Sequence, residues 1–261
     1  MVRWAGGLID PAIPKNDIKR VADVATGTGD WLIDTAKELN NPTNVYKGFD
    51  ISAAQFPSDL PKGIGSFEFV QHNVLERFPA EFHSQFDLIN IRLVVQAFKA
   101  AEIPRVISNL IEILRPGGYL QWGDLLWASV EAIPPQEDVG KVLELIRKHM
   151  IFHGVPFDLP TLVESTMREA GMQDIILTTK LPADGVPPLS LRDVTDRARP
   201  AFLFMLPKVL ETQTLSENKT IDAAVIEAQR AEIAARFEQA LDNGNNLYVV
   251  YCVVVGKKTL E

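Results

Sequence analysis

The sequence is short of cysteine, of long apolar runs and of clustered positive charge, and each shortage removes a class of function. Cys252 is the single cysteine in 261 residues, so no disulfide can close within the chain. It lies in the strand-like run LYVVYCVVVG, where a small buried apolar side chain is the plain reading. No apolar run reaches the ~18 residues that a membrane-spanning helix needs. With no signal-peptide pattern either, the expectation is a cytoplasmic address and no membrane partner. Lys and Arg number 26 against 34 Asp and Glu, a net charge of −8, and the basic clusters are as short as Lys257-Lys258. A phosphate backbone demands clustered cations, so nucleic acid is excluded as a partner. The sequon Asn218-Lys219-Thr220 has meaning only in a secreted chain and is discounted, and the closing Leu260-Glu261 reads as a vector remnant.

What is present is alternation. Strand-like runs rich in β-branched and aromatic residues occur at RVADVA (Arg20–Ala25), VYKGFD (Val45–Asp50), FEFVQHN (Phe67–Asn73), FDLINI (Phe86–Ile91) and YLQWGD (Tyr119–Asp124). Helical patterns separate them. DWLIDTAKELN follows the first strand. IPRVISNLIEILRPGG precedes the fifth, with Val106, Leu110 and Leu114 on one face and a stop at Pro116 and Gly117-Gly118. Such alternation predicts right-handed βαβ units in an α/β, Rossmann-like doubly wound sheet.

The second half reads differently. Helices are expected at Gln136–His153, ending at Gly154, and at Leu159–Ala170, ending at Gly171. A strand follows at Asp174–Leu181. After ADGVPP come two helical pieces near Ser190–Leu210 and Thr220–Leu241, then a final strand at Leu247–Gly256. These two strands are expected to pair as an antiparallel hairpin at the sheet edge, giving about seven strands with the last antiparallel. The expected organisation is a core of residues 1–181 and 243–261, carrying helical lid insertions at 128–157 and 182–242.

The run VADVATGTGDWL holds a glycine turn between a strand and a helix, where backbone N–H groups and the helix dipole meet a ligand. A phosphate-gripping loop needs GxxxxGK[ST], which is absent here. A dinucleotide fingerprint needs a third glycine, but Gly27-Thr28-Gly29-Asp30-Trp31 continues to Leu32, and Asp30 would repel a pyrophosphate. S-adenosylmethionine carries no phosphate and tolerates Asp30. It needs a carboxylate for its ribose hydroxyls, and Asp50 in GFDIS stands about 20 residues past the turn, where such an acid is expected.

Together GGLIDPAIP, VADVATGTGDWLIDTAKEL, GFDIS, AQFP, FDLINIRLVV and LRPGGYLQW, from Gly7 to Ala128, resemble the class I S-adenosylmethionine-dependent methyltransferases. More narrowly they look like those of fungal secondary-metabolite clusters. The resemblance implies a transferase that uses S-adenosyl-L-methionine and releases S-adenosyl-L-homocysteine. It implies that Asp23 organises the glycine loop and approaches the methionine ammonium group, and that Thr26, Gly27 and Gly29 form the loop wall. Ala25 replaces the first glycine of the usual acid-x-Gly-x-Gly-x-Gly pattern. It is expected to be tolerated through an extended backbone with negative φ. Asp50 and Ile51 would hold the ribose and flank the adenine. Asn73-Val74 would receive the adenine amino group, with an Asn carbonyl where an Asp is common. Asn90 and Arg92 would line the methionine side, Arg92 either pairing the cofactor carboxylate or making a structural ion pair.

Methyl transfer is an in-line displacement, so alignment supplies most of the acceleration, and a base is needed only for a weakly acidic hydroxyl or a protonated amine. His149 and His153 are four apart and share a helix face, so they are candidate bases, with Asp124 after the fifth strand as a third. No third ligand accompanies the histidines, so no metal is expected. Trp122 and Trp127 are candidates to stack on an aromatic acceptor or to serve as core, and Phe202, Phe204 and Met205 to line the lid. The expected activity is methylation of an O or N atom of a hydrophobic small-molecule natural product. Two alternatives stand beside it: a cyclase or isomerase using the bound sulfonium without methyl transfer, and a non-catalytic regulatory subunit. Only MVRWA precedes GGLI, where the family usually has a longer helical segment over the cofactor. Either the chain is truncated, or a second protomer of a homodimer supplies the cover, or the fold binds cofactor without transferring methyl.

Overall fold

Residues 7–181, 190–217 and 220–260 are described by a computed structural model of the chain. The apolar runs become one seven-stranded sheet: β1 Arg20–Val24, β2 Val45–Asp50, β3 Ser66–Gln71, β4 Phe86–Arg92, β5 Leu114–Ile133, β6 Gln173–Lys180 and β7 Asn246–Lys257. Their order is β3-β2-β1-β4-β5-β7-β6. The pairs from β3 to β5 are parallel, and β7 runs antiparallel to β6. From β1 the chain steps outward to β2 and β3, then returns to the other side of β1 as β4. That reversal opens a crevice at the carboxyl ends of β1 and β4, where ligands of such sheets bind. The central β4 is buried along its first six residues, whereas the edge strands β3 and β6 carry no fully buried residue.

Helix α1, Asp30–Leu39, buries Trp31, Leu32, Thr35 and Ala36 at helical spacing and ends on Asn40 in the left-handed region. Helix α2, Ile103–Ile113, begins with a proline in its first turn and buries Ile103, Val106, Ile107 and Leu110. It stops three residues short of the expected Pro116. Leu114 is already extended and pairs with Phe86, and the segment through Gly118 opens β5 across a register shift against β4. Sheet contacts outcompete the helix here: Asp87 takes the Arg115 guanidinium, and Gly117 N–H donates to Lys258 O at 3.0 Å. β5 thus starts five residues before the expected Tyr119, and it also runs on past Asp124 to Ile133, giving 20 residues instead of the expected six.

Helices α3, Glu137–His153, and α4, Leu159–Glu169, lie where the glycine stops placed them, with Gly154 and Gly171 at positive φ. Helix α5, Leu191–Ser216, runs six residues past Leu210 and contains Pro200 and Pro207. Helix α6, Ala223–Asp242, is capped by Asp222, whose carboxylate accepts the N–H groups of Ala224 and Val225. The expected linker ADGVPP, residues 183–188, lies outside the described residues, as do residues 218–219 and 1–6.

Two compact units emerge. Unit 1 comprises residues 1–125, 159–180 and 251–261, and unit 2 comprises 126–158 and 181–250. Unit 1 has a core of Ile9, Val21, Leu32, Tyr46, Leu88 and their neighbours. Unit 2 is a packing of α3, α5 and α6, with Ile146, Met150, Leu206 and Leu241 buried and Phe202 stacked on Phe237 at 6.0 Å. Among the described residues no helix is long and apolar enough to cross a membrane.

Candidate functional site

Strand register builds the site. Gly48 of β2, Asp23 of β1, Asn90 of β4 and Gln121 of β5 are direct partners along one row across the sheet. Asp23 is buried, and its carboxylate accepts from Thr26 Oγ1 and Asn90 Nδ2, both at 2.7 Å. Asn90 Oδ1 in turn accepts from Gln121 Nε2 at 3.0 Å. Gln121 reaches the N-terminal segment, donating to Leu8 O at 2.9 Å and accepting from Asp10 N–H at 2.8 Å. Burial pushes the Asp23 carboxyl up to about 6, while the Asn90 and Thr26 hydrogen bonds and the Arg92 charge pull the other way. Asp23 thus ties the loop to a buried polar chain that ends on GGLIDP. Sequence reasoning singled out Asp23, Thr26 and Asn90 but missed Gln121 and Asp10, although a glutamine inside the apolar LQW is a signal of a buried partner.

The glycine turn itself differs from expectation at one position. Ala25 has φ of +56°, so it occupies the left-handed region and not an extended one. The cause is the loop's anchoring on both sides: Thr26 N–H donates to Phe49 O at 3.0 Å, and Gly27 N–H to Asp50 Oδ2 at 2.9 Å. Gly29, at φ +72°, starts α1. A Cβ on Gly29 would stand 2.8 Å from the Phe69 ring, and one on Gly48 2.5 Å from it. These two glycines therefore make room for Phe69. Gly27, by contrast, has only Gln55 Oε1, at 3.6 Å, near the Cβ it lacks. Gln55 and Pro57, from the AQFP motif, lie against Gly27 and Gly29, and Phe56 packs on Phe69 at 5.4 Å.

Asp50 ends β2 half-buried, its Oδ1 accepting Ser52 N–H at 3.0 Å. A carboxylate offers about four lone-pair sites, so both oxygens keep acceptor capacity. Ile51 beside it is 66% exposed, a large apolar side chain without a protein neighbour to cover it. Asn73 lies two residues beyond β3, where its Oδ1 accepts Leu75 N–H at 3.1 Å in a side-chain turn. The side chain of Val74 is buried. Arg92 closes β4 partly exposed, and its charge acts on Asp23. Asp23, Ala25, Thr26, Gly27, Gly29, Asp50, Ile51, Asn73, Val74, Asn90 and Arg92 are thus gathered at the carboxyl ends of β1 to β4. Their chemistry is an uncovered backbone loop, a carboxylate with free lone pairs and an exposed apolar side chain. That set fits a nucleoside bearing a zwitterionic tail and no phosphate, the description of S-adenosylmethionine.

Asp124 is buried and clasps the turn after β4. Its carboxylate accepts Val94 N–H and Leu125 N–H, both at 2.9 Å, and Trp122 Nε1 at 3.4 Å. Burial pushes it up to about 6. Trp122 is core.

In unit 2, the His149 and His153 rings lie 4.5 Å apart on α3, and both reach Thr212 Oγ1 of α5, at 2.8 and 3.1 Å. Burial, His153 and Lys208 lower the His149 pKa from its ordinary value. Trp127 packs on Phe202 at 5.5 Å, and Phe202 is buried, whereas Phe204 is 86% exposed. Among the described residues no group of three or more His, Cys, Asp or Glu is arranged to hold a metal.

Residues 22–120 match the family described as a methyltransferase domain. Methyltransferase grgD of a Penicillium species is 35% identical over 159 residues, covering 59% of this chain and 55% of that protein. N-methyltransferase verN of Clonostachys rogersoniana is 32% identical over 121 residues, 44% of this chain and 40% of its own length. The chain thus spans about half, or less, of the length of these curated relatives. Among solved structures, a SAM-dependent methyltransferase from Methanosarcina mazei aligns with a TM-score of 0.53 at 13% identity. The alignment covers 97% of this chain and 99% of that one, and it shows the shared fold. The domain match over residues 22–120 and these relatives make the chain similar to S-adenosylmethionine-dependent methyltransferases, and its Rossmann-like sheet shares their fold.

Proposed function

We propose that the chain transfers a methyl group from S-adenosylmethionine to an O or N atom of a hydrophobic small-molecule natural product. The observation that carries this reading is the juxtaposition of the uncovered Gly27 backbone, the Asp50 carboxylate and the exposed Ile51 at the sheet's switch point. The relative named as an N-methyltransferase supports the reaction class. When bound, the cofactor supplies an electrophilic methyl group on a sulfonium. The chain's part is to hold and align it. Asp50 accepts hydrogen bonds from the ribose hydroxyls while keeping Gly27 N–H, so it shapes the loop and binds the ligand together. Ile51 and the Asn73-Val74 turn flank the adenine. Arg92 and the Asp23–Asn90 row meet the methionine end.

The candidate bases His149 and His153 lie on α3. Asp124 serves mainly to fix the turn after β4, because its oxygens already accept three N–H groups. A cytoplasmic address fits the lone buried Cys252.

Calorimetry with S-adenosylmethionine and S-adenosylhomocysteine tests the reading. Both should bind, and Asp50→Ala should weaken binding by about 1.5–3 kcal/mol, the worth of hydrogen bonds to a charged group. No binding of either compound would sink the proposal, and an unchanged affinity in Asp50→Ala would remove the ribose role. Binding without methylated product would turn the reading towards the cyclase chemistry.

A further inference from the structure

Residues 50–57 arch over the glycine turn. One foot of the arch is Asp50, whose two oxygens accept Gly27 N–H and Ser52 N–H at 2.9 and 3.0 Å. Ser52 then opens a single helical turn, Ala53–Gln55, its Oγ accepting Ala54 N–H at 3.3 Å. The other foot is Phe56 and Pro57. The Phe56 ring packs on Phe69, and Pro57 Cγ stands 3.3 Å from where Gly29 would carry a Cβ. Gln55 sits between the feet. Its Oε1 lies 3.6 Å from the Cβ position of Gly27, on the side where the loop backbone is otherwise uncovered. The side chain is exposed, and among the described residues no group bonds to its carboxamide.

Gln55 and Asp50 thus flank the same glycine with complementary chemistry. A carboxylate can only accept, and the Gly27 N–H beside it is already spent on Asp50. A sugar hydroxyl brings one proton and two lone pairs. Asp50 takes the proton and leaves the lone pairs without a donor. Gln55 Nε2 has two unspent N–H groups, and a half-turn of the carboxamide puts Nε2 where Oε1 stands.

We infer that Gln55 is a ribose-binding residue, its carboxamide N–H donating to a sugar hydroxyl whose proton Asp50 accepts. With S-adenosylmethionine as the ligand of this site, on which the assignment rests, one oxygen is read both as donor and as acceptor. A sugar lacking that hydroxyl satisfies neither side chain, so the pair selects ribose.

Calorimetry with S-adenosylhomocysteine and its 2′-deoxy and 3′-deoxy analogues tests the pairing. Gln55→Met keeps the length of the side chain and removes its hydrogen bonds. It should bind S-adenosylhomocysteine about three- to tenfold more weakly than the wild type, the worth of one neutral hydrogen bond. With the analogue that lacks the shared hydroxyl the two proteins should bind alike, whereas with the other analogue the gap should persist. Gln55→Glu, which sets a second acceptor beside Asp50, should bind S-adenosylhomocysteine more weakly still. Because the side chain is exposed, both variants should melt with the wild type. Equal affinity of the wild type and Gln55→Met for S-adenosylhomocysteine overturns the inference. So does a gap that persists with both analogues, which would put Gln55 on another part of the ligand or in the packing of the loop. If the wild type binds none of the three compounds, the cofactor reading itself fails and the ribose role falls with it.

Discussion

Ala25 shows most directly how one residue is governed by the backbone around it. A non-glycine residue in the left-handed region is disfavoured by roughly 1–2 kcal/mol, yet the loop's two anchors, Thr26 N–H on Phe49 O and Gly27 N–H on Asp50, hold Ala25 at +56°. Glycine would relieve that strain, offset in part by about 0.4–1 kcal/mol of extra freedom in the unfolded chain. Ala25→Gly should therefore stabilise the protein by up to about 1 kcal/mol in urea denaturation. Ala25→Val, β-branched at positive φ, should destabilise it by more than the alanine strain. A clear loss of stability in Ala25→Gly would show that the loop is not strained. The acid, the loop glycines and Asp50 were legible in the sequence because they are spaced by the strand and turn they belong to. The φ of Ala25 was not, since it is imposed by hydrogen bonds to β2.

At the level of elements, the β2–β3 pair is shaped by one ring. Phe69 stands opposite Gly48 and against Gly29, so both glycines are needed for packing. Gly48→Ala should cost about 1–3 kcal/mol, the usual range for overpacking, because its Cβ would meet the ring at 2.5 Å and Thr26 Cγ2 at 2.9 Å. The double variant with Phe69→Leu should recover much of that loss. Purely additive effects in a double-mutant cycle would refute the ring as the cause. Helix and strand positions followed the apolar periodicity closely, β2 to the residue. The miss at α2 and β5 is instructive: Pro116 and Gly117-Gly118 look like a helix stop, but they form the bulged opening of a strand. Pairing with Phe86 and the Asp87–Arg115 contact decided it, and neither is visible in a local window. Gln121 and Thr212 were missed for the same reason, as their partners lie 111 and 63 residues away.

For the whole molecule, two of the buried acids, those with raised pKa values, lead the response to pH. Asp23 and Asp124 are each pushed up from 3.8 to about 6 by burial. A carboxyl with a raised folded pKa takes up its proton before the unfolded chain does, so each adds stability as pH falls from about 6 to about 4. The opposite sign belongs to Glu112, Asp193, Glu227 and Asp242, whose pKa values are lowered by Arg77, Ser190, Arg230 and Arg199. Their contributions are lost only as pH falls below the ordinary carboxylate range. His149, with its lowered pKa, costs stability as pH falls through the ordinary histidine range. It is one half-buried ring against two buried carboxyls, so the melting temperature should rise between pH 7 and about pH 5 before falling in stronger acid. Asp124→Asn should flatten the rise, and a melting temperature that falls steadily from neutrality would contradict the burial argument. The sheet order carries a consequence of another kind, in time. Strand β7 is the last of the seven along the chain, yet it lies between β5 and β6. A ribosome releases β6 well before β7, and until β7 arrives β6 has no strand to join and β5 keeps a bare edge. Completion of the sheet therefore waits for β7, a stretch during which chaperone cover or a cold, slow translation would matter most.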